Sequence, residues 1–372
     1  MSYTLTTLWQ ERARYWPGVL AVAFSAVLIA LQCGLLLGLF SITSIPIDEA
    51  SADVWVGDPA IQSVDVGRPI PDAWLARVAS LPEIQRVETY LEGFTYWAKP
   101  SGGTELVCVI GARLDGDSLG AVDQLTPELR VRLTEPGAVI VDERELDRLG
   151  VRGVGDTAEI GGRRVRIVGL IHGVPSLVGP YVFCSISTAR PLLRGYLSNQ
   201  TTYLLAKTRP GVDRAAVVAR LSDYQDMSTF TNDEFSMRTR LHWLTRTKAG
   251  LAMGCAAALG LLVGAVVTSQ TLFAAVKASR RELAVLRALG IPYQQLVRSV
   301  LSQSLWVGLI GVVLALPTAY ALSVVATALG AKVLLPGWLM AVAAILTLGM
   351  ALFAGMTALR SLRQAEPAAL LR

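Results

Sequence analysis

The sequence predicts an integral membrane α-helical protein: four transmembrane helices, with a large extracytoplasmic mixed α/β domain between the first and second. Three observations predict this. The 372 residues are 52% hydrophobic and 17% charged, against about a quarter charged in a soluble globular chain. The deficit is concentrated in four charge-free segments, Pro17 to Ile47, Ala249 to Val276, Ser299 to Ala331 and Val333 to Leu359. Each exceeds the roughly 20 residues that cross a bilayer core. Between the first two, residues 41–247 have ordinary globular composition, with 22 Lys and Arg against 26 Asp and Glu, while the rest of the chain has 12 against 3. The pI of about 9.1 therefore belongs to the membrane part. It does not mark a nucleic-acid surface, and no nucleic-acid partner is expected.

Each element follows in order. In residues 1–16, Leu5, Leu8, Trp9, Arg12 and Trp16 recur at helical spacing, which suits an interfacial helix. Pro17 ends that helix or opens the first span, 17–42. The span is too long for the apolar core of a cleaved signal peptide. The outer domain, 43–247, alternates strand and helix signals. Strands are expected at Ala52–Val56, Val87–Tyr90, Leu106–Ile110, Ala138–Val141 and Tyr203–Ala206, and helices at Pro71–Leu81 and Val212–Tyr224. Glu143–Leu149 is a short helix closed by Gly150. Asp156–Ile160 and Arg163–Gly169 form a hairpin about Gly161-Gly162. The second span, 248–276, is read as one continuous helix with the preceding segment Phe235–Thr247. A charged loop, 277–298, leads to the third span, 299–329, which Pro317 should kink. A short outer loop, 330–337, the fourth span, 338–359, and a tail, 360–372, complete the chain.

Short-loop charges set the orientation. Arg12 and Arg14, then Lys277, Arg280, Arg281, Arg287 and Arg298, then Arg360, Arg363 and Arg372 place both termini and the charged loop in the cytoplasm. Arg238, Arg240, Arg246 and Lys248 fall outside, against that rule, which long translocated domains follow weakly.

Much chemistry is absent. There is no phosphate-binding loop GxxxxGK[ST], so ATP hydrolysis by that route is excluded for this chain. His172 and His242 lack metal spacing, and no GxSxG or HExxH occurs. No ionisable residue lies deep in a span, which argues against a proton relay. The carboxylates Asp142, Glu143, Glu145 and Asp147 read as a solvated helix face. Cys108 and Cys184 lie in strand-like runs, as a disulfide or as two buried thiols. Neither catalytic residues nor a metal or cofactor site is expected.

Two sets of residues remain. The spans carry small residues four apart, Gly34/Gly38, Gly250/Gly254 and Gly260/Gly264, faces on which helices approach closely. Gln32 and Gln270 are the most notable polar residues there. They hydrogen-bond either across a dimer interface or within the chain between the first two spans. In the charged loop, Leu283, Leu286 and Leu289 form an apolar stripe beside Val285, with Arg280, Arg281, Glu282 and Arg287 for polar contacts and Gly290 ending the helix. Such a helix suits a partner's groove, apolar anchors giving affinity and charges giving register.

The loop Arg281-Glu-Leu-Ala-Val-Leu-Arg-Ala-Leu-Gly290 resembles the RE-x-(G/A)-x-x-(R/K)-A-x-G signature of FtsX-like, MacB-type (mechanotransmission) ABC permeases, and Glu366-Pro-Ala-Ala-Leu-Leu-Arg372 resembles that family's ending. Finer features resemble the DevC branch. They are Gln32 after Phe24 to Leu31, Ala52-Asp53-Val54, the Gly153–Thr157 and Val165–Leu170 hairpin, Phe235, Trp243, Thr247 and Gly250, the stretch Gly264 to Gln270, and Ala284 in the loop. Arg287 departs from the lysine usual in DevC-like loops. The resemblance implies a homodimeric exporter permease in a bacterial inner membrane. It would dock a separate ABC ATPase, which holds the ATP and magnesium, through Arg280–Gly290. Its outer domain would meet a periplasmic membrane-fusion adaptor joined to an outer-membrane channel, with membrane lipid around the spans and a lipid-like or glycolipid cargo. Two related readings share the architecture: a lipoprotein-release permease, and an FtsX-like regulator of a cell-wall hydrolase. A stand-alone receptor without an ATPase is the third alternative.

Overall fold

The computed structural model describes residues 12–193, 195–278, 292–329 and 331–363. The principal helices are α1 (Arg12–Thr43), α2 (Trp74–Ala79), α3 (Pro127–Arg132), α4 (Ile186–Leu192), α5 (Arg214–Ser222), α6 (Asn232–Arg246), α7 (Lys248–Ala278), α8 (Tyr293–Ala328) and α9 (Gly337–Arg363). The strands are β1 (Val54–Gly57), β2 (Ile70–Pro71), β3 (Ile84–Ala98), β4 (Thr104–Ala112), β5 (Ala138–Asp142), β6 (Thr157–Ile160), β7 (Arg163–Ile171), β8 (Tyr181–Ser185), β9 (Gln200–Thr201), β10 (Tyr203–Thr208) and β11 (Ser228–Thr231). The chain forms two compact units, Phe40–Gly250 and the remainder.

The outer unit joins two sheet systems through β3. Strands β11-β1-β10-β3 lie side by side, all antiparallel. With α2 between β1 and β3 and α5 between β10 and β11, they make a split β-α-β arrangement. Alternation along the strands explains the packing. Val54, Val56, Leu204 and Ala206 face Val78 of α2 and Val217 and Leu221 of α5. Trp55, Tyr203 and Tyr90 share a different core with Phe235 of α6.

The far half of β3 belongs to a second system. Strands β3-β4-β8-β5-β7-β6 run in order, and β6 pairs back onto β3 through Trp97↔Ile160 and Ala98↔Glu159. Six strands thus close a circuit, which removes the exposed edges of an open sheet. Val107, Val109, Val139, Val141, Val165, Ile167 and Val182 bury one core together with Leu192 and Ala189 of α4. Alternate residues Cys108, Ile110, Ile140, Tyr181 and Phe183 bury the other. Register separates the two thiols. Cys108 pairs with Tyr181, three residues from Cys184, so the cysteines face different cores. Both are free and buried, and no disulfide joins them.

The expected hairpin is β6–β7, with Gly161 and Gly162 at positive φ in its turn. Gly150 caps its helix at φ 69°. The segment after β7 packs instead of projecting. Val174 N donates to Asp142 Oδ2 at 2.9 Å, and Arg148 donates to the Val178 carbonyl at 3.0 Å. Asp142, read from sequence as part of a solvated face, is buried and holds the Arg144 and Val174 amides.

The other unit contains four helices long and apolar enough to cross a membrane, within α1, α7, α8 and α9. Pro17 lies inside α1 rather than at its start, and α8 continues through Pro317. Gly311 of α8 packs on Val22 of α1, and Gly308 and Gly355 bring α8 and α9 together through Leu348 and Ser304.

The expected continuous helix from Phe235 into the second span is corrected by the structure. α6 ends at Arg246, and Thr247 takes an extended conformation, φ −99° and ψ 147°, before α7 begins. Its hydroxyl offers the backbone a local cap, and that cap competes with helix continuation.

Candidate functional site

The sequence-predicted coupling residues Arg280, Arg281, Glu282, Leu283, Val285, Leu286, Arg287, Leu289 and Gly290 lie outside the described residues. Their frame is visible. α7 runs to Ala278, and α8 opens at Tyr293 after Pro292, whose ψ of 140° sets a non-helical start. Fourteen residues, 279–292, therefore separate two apolar helices in sequence.

Within the outer unit, the turn that follows α1 clasps α6. The turn after α1, Ile45–Asp48, presents Asp48 and Ser44. Ser236 Oγ donates to Asp48 Oδ1 at 2.6 Å, and Arg240 donates to Asp48 Oδ2 at 2.6 Å and to Ser44 Oγ at 2.8 Å. Ser44 Oγ in turn donates to Asp48 Oδ2 at 2.6 Å. Charge-assisted bonds of this kind are stronger than neutral ones. Phe235 is fully buried on the same helix, stacked on Phe230 at 5.2 Å and packed against Trp55 and Tyr203 at 5.5 and 5.8 Å between ring centroids. Trp243 Nε1 donates to Asp65 Oδ1 at 3.2 Å, and Thr239 Oγ1 accepts from Val64 N at 3.2 Å. Arg238, against the positive-inside rule by sequence, lies over the Phe230 ring at 5.0 Å and donates to the Ile61 carbonyl. α6 is therefore tied to the domain along its length.

Two buried carboxylates stiffen this domain in opposite electrostatic senses. Asp53, at the start of β1, accepts from Thr208 N and Thr208 Oγ1, both at 3.1 Å, and pairs with Lys207 at 3.2 Å and Arg214 at 2.9 Å. Burial opposes its ionisation, but the bonds from Thr208 and Lys207 outweigh burial and hold the carboxyl below its ordinary range. Glu92 on β3 is 3% exposed. Burial pushes its carboxyl well above the ordinary range, Asp65 adds to the rise, and the Cys108 thiol opposes it from 3.7 Å.

The predicted packing residues of the spans divide. Gly34 and Gly38 sit against the segment between α8 and α9. Leu334 N donates to the Gly34 carbonyl at 3.0 Å, and a Cβ on Gly38 would fall 1.7 Å from the Lys332 carbonyl oxygen. Gly260 receives the Gln32 stem, and Gly264 receives Ser25. Gly250 packs on the end of α6, and Gly254 is half-buried. Gln32 and Gln270 are not brought together: Gln32 is half-buried and Gln270 is exposed on α7. Among the described residues, a polar contact between the first two spans is made by Ser25 and Thr268, both fully buried. Ser25 Oγ donates to the Gly264 carbonyl at 2.9 Å, and Thr268 Oγ1 donates to Ser25 Oγ at 2.8 Å. Sequence reasoning missed this pair because a hydroxyl in a span ordinarily bonds its own helix, as Thr271 does to Val267.

Among the described residues, no group of His, Cys, Asp and Glu could hold a metal ion. Taken separately, the outer unit holds α6 by specific polar and aromatic contacts, and the helical unit is close-packed at its small residues.

Comparison with known proteins gives two family matches. The model described as MacB-like periplasmic core domain matches residues 19–224, more than half the chain, and that described as FtsX-like permease C-terminal matches residues 254–367. No curated relative matches this chain. Similar solved structures include the periplasmic region of MacB from Actinobacillus actinomycetemcomitans, at 12% identity over 51% of this chain and 94% of that one, with a TM-score of 0.35. The extracellular domain of the noncanonic ABC-type transporter YknZ from Gram-positive bacteria is 9% identical over 48% of this chain and 98% of that one, with a TM-score of 0.32. A permease-protein domain from Porphyromonas gingivalis is 12% identical over 50% and 91%, with a TM-score of 0.30.

Proposed function

We propose that this chain, which belongs to the family of FtsX-like ABC permeases with a MacB-like periplasmic core domain, turns ATP-driven movement on one side of a membrane into movement of its outer domain. The family makes it a membrane protein with an extracytoplasmic domain and implies an ABC ATPase partner. The observation that carries the finer reading is the fastening of α6. A helix pinned by Phe235, Ser236, Arg240 and Trp243 can pass on displacement, because a packed element moves as a body.

In this reading the segment Arg280–Gly290 docks on the ATPase. Leu283, Leu286 and Leu289 enter its groove, and Glu282 and Arg287 fix register. ATP and magnesium stay in that subunit. Two permeases face each other as a homodimer in a bacterial inner membrane, termini inward, and closure of two ATPases draws them together. The outer domain works on a membrane-fusion adaptor and outer-membrane channel, in the manner of the DevC branch, with a lipid-like or glycolipid cargo. The cargo then need not cross the four spans, which fits their lack of deep ionisable residues.

Purification from native membrane in mild detergent, with mass spectrometry of bound proteins, tests this. An ATPase with an adaptor is the expected result. An ATPase with lipoprotein-handling factors, or with a cell-wall hydrolase, and no adaptor would replace the exporter reading with a release permease or a transmembrane regulator.

A further inference from the structure

A cavity of about 530 Å³ opens within the outer unit, between the β6–β7 turn, the entry of β5 and α4. That volume lies in the range of small-molecule sites, about 300–1,000 Å³. Its walls are fixed without a ligand. A Cβ on Gly161 would fall 2.8 Å from the Leu192 carbonyl oxygen, so the turn sits directly on the end of α4. Gly161 N also donates to the Tyr96 carbonyl at 3.3 Å. On the other side, Thr188 Oγ1 accepts from Gly137 N at 3.3 Å and from Ser185 Oγ at 3.0 Å, tying α4 to the entry of β5. Those two acceptances leave the Thr188 O–H to donate, and Thr188 lines the cavity while only 5% exposed. Pro136, Pro191 and the buried Val165 and Leu192 supply apolar lining.

Charge at this cavity is one-sided. Arg163 and Arg164 open β7 and line it. Among the described residues, no carboxylate pairs with either guanidinium. Glu159 lies opposite Arg164 in the β6–β7 register, yet Arg164 donates to Thr157 Oγ1 at 3.3 Å. Glu135, beside Pro136, is taken by Arg166. Exposed arginines at a strand end are ordinarily just solvated. Here they border a formed cavity whose other polar side chains, Ser187 and Thr188, also carry hydroxyl donors.

We propose that this cavity binds an organic phosphate, with the phosphate group against Arg163, Arg164 and the two hydroxyls and an apolar body against Pro136, Pro191 and Leu192. A guanidinium fork grips phosphate oxygens bidentately. A tetrahedral phosphate offers more oxygens to donors arriving from two walls than a planar carboxylate does. The same chemistry is carried by a soluble phosphate ester and by a phospholipid headgroup.

The probe is phenyl phosphate, followed by saturation-transfer NMR on the full chain in phosphatidylcholine nanodiscs, with empty nanodiscs as the blank. The wild type should bind it and should need about tenfold more inorganic phosphate to release it, because the bare ion lacks the ring. Arg163→Gln and Arg164→Gln should each weaken binding about tenfold through loss of a charge-assisted bond. Ser187→Trp fills the cavity, keeps both charges and should abolish binding. Arg209→Gln, at an exposed arginine just after β10, should leave it unchanged. The thermal transition of the outer unit reports folding in each variant. No binding by the wild type overturns the proposal, and so does full binding by both Gln variants at residues 163 and 164. A loss in Arg209→Gln as large as that in Arg163→Gln would leave only a general positive surface. Release by inorganic phosphate as readily as by phenyl phosphate would leave only a bare ion site. Either result overturns the proposal. Dihexanoyl phosphatidylglycerol as competitor assigns the source. Displacement at a lower concentration than phenyl phosphate supports a lipid headgroup, and the reverse order supports a soluble ester.

Discussion

The outer unit and the helical unit are held together by different physics. In the outer unit, charged and polar side chains make specific bonds, buried at Asp53 and Asp142 and more exposed at Asp48. Asp53, Asp142 and Asp48 each accept two or more hydrogen bonds. In the helical unit, contact comes from small residues and backbone, as Gly38 against the Lys332 carbonyl and Gly264 against Ser25 show. In a bilayer there is no hydrophobic force between apolar helices, so close packing replaces it. The outer unit should therefore answer to pH and charge, and the helical unit to volume. Exposure within the helical unit is uneven. α1 is the most buried of the four spans and α7 the least, with Leu259, Leu262, Val263 and Val266 exposed.

Volume should produce the largest effect. Gly38→Val drives a side chain into the Lys332 carbonyl. We expect loss of the folded helical unit, seen as protease sensitivity of the spans, while the outer unit keeps its thermal transition. Charge comes next. Asp53→Ala strips the Thr208 amide and hydroxyl of their acceptor and should cost the outer unit about 2–3 kcal/mol in denaturant unfolding.

The pH dependence sharpens the contrast. The Asp53 carboxyl is lowered in the folded state, so its contribution is present above the unfolded value and is lost as pH falls through the folded one. The Glu92 carboxyl is raised, so folding favours its protonated form. Stability then declines as pH climbs from the unfolded value through the folded one, at up to about 1.4 kcal/mol per pH unit. Glu92→Gln should abolish that decline in unfolding curves taken between mildly acidic and alkaline pH, and leave the acid limb set by Asp53. The smallest effect belongs to Ser25→Ala. It removes two bonds between spans, to the Gly264 carbonyl and from Thr268 Oγ1, about 1 kcal/mol in all, measurable as a slight fall in the detergent-unfolding midpoint.

The same contrast explains what was legible in the sequence. Local signals were readable. The alternation of Val54, Trp55 and Val56, the Gly161-Gly162 turn and the Gly150 cap all formed as expected. The spans were readable because charge is excluded over long runs. Closure of β6 onto β3 was not, since Trp97 and Ile160 meet only after β4, β8, β5 and β7 have been ordered between them. The interruption at Thr247 was hidden because apolar and helix-forming residues continue on both sides. A threonine three residues before a glycine was the available signal, and it is a weak one. The Ser25–Thr268 contact depends on how two spans rotate, and residue spacing along one helix does not set that rotation.

The central claim is that this chain takes its movement from a separate ATPase through the segment between α7 and α8. The most direct measurement is recovery of that ATPase with the purified wild type, with Glu282→Lys and Arg287→Glu, and with an outer-domain charge reversal, Arg152→Glu, as control. The account predicts that both loop variants lose the ATPase while the outer unit keeps its thermal transition, and that Arg152→Glu retains it. Full recovery of the ATPase with both loop variants would contradict it.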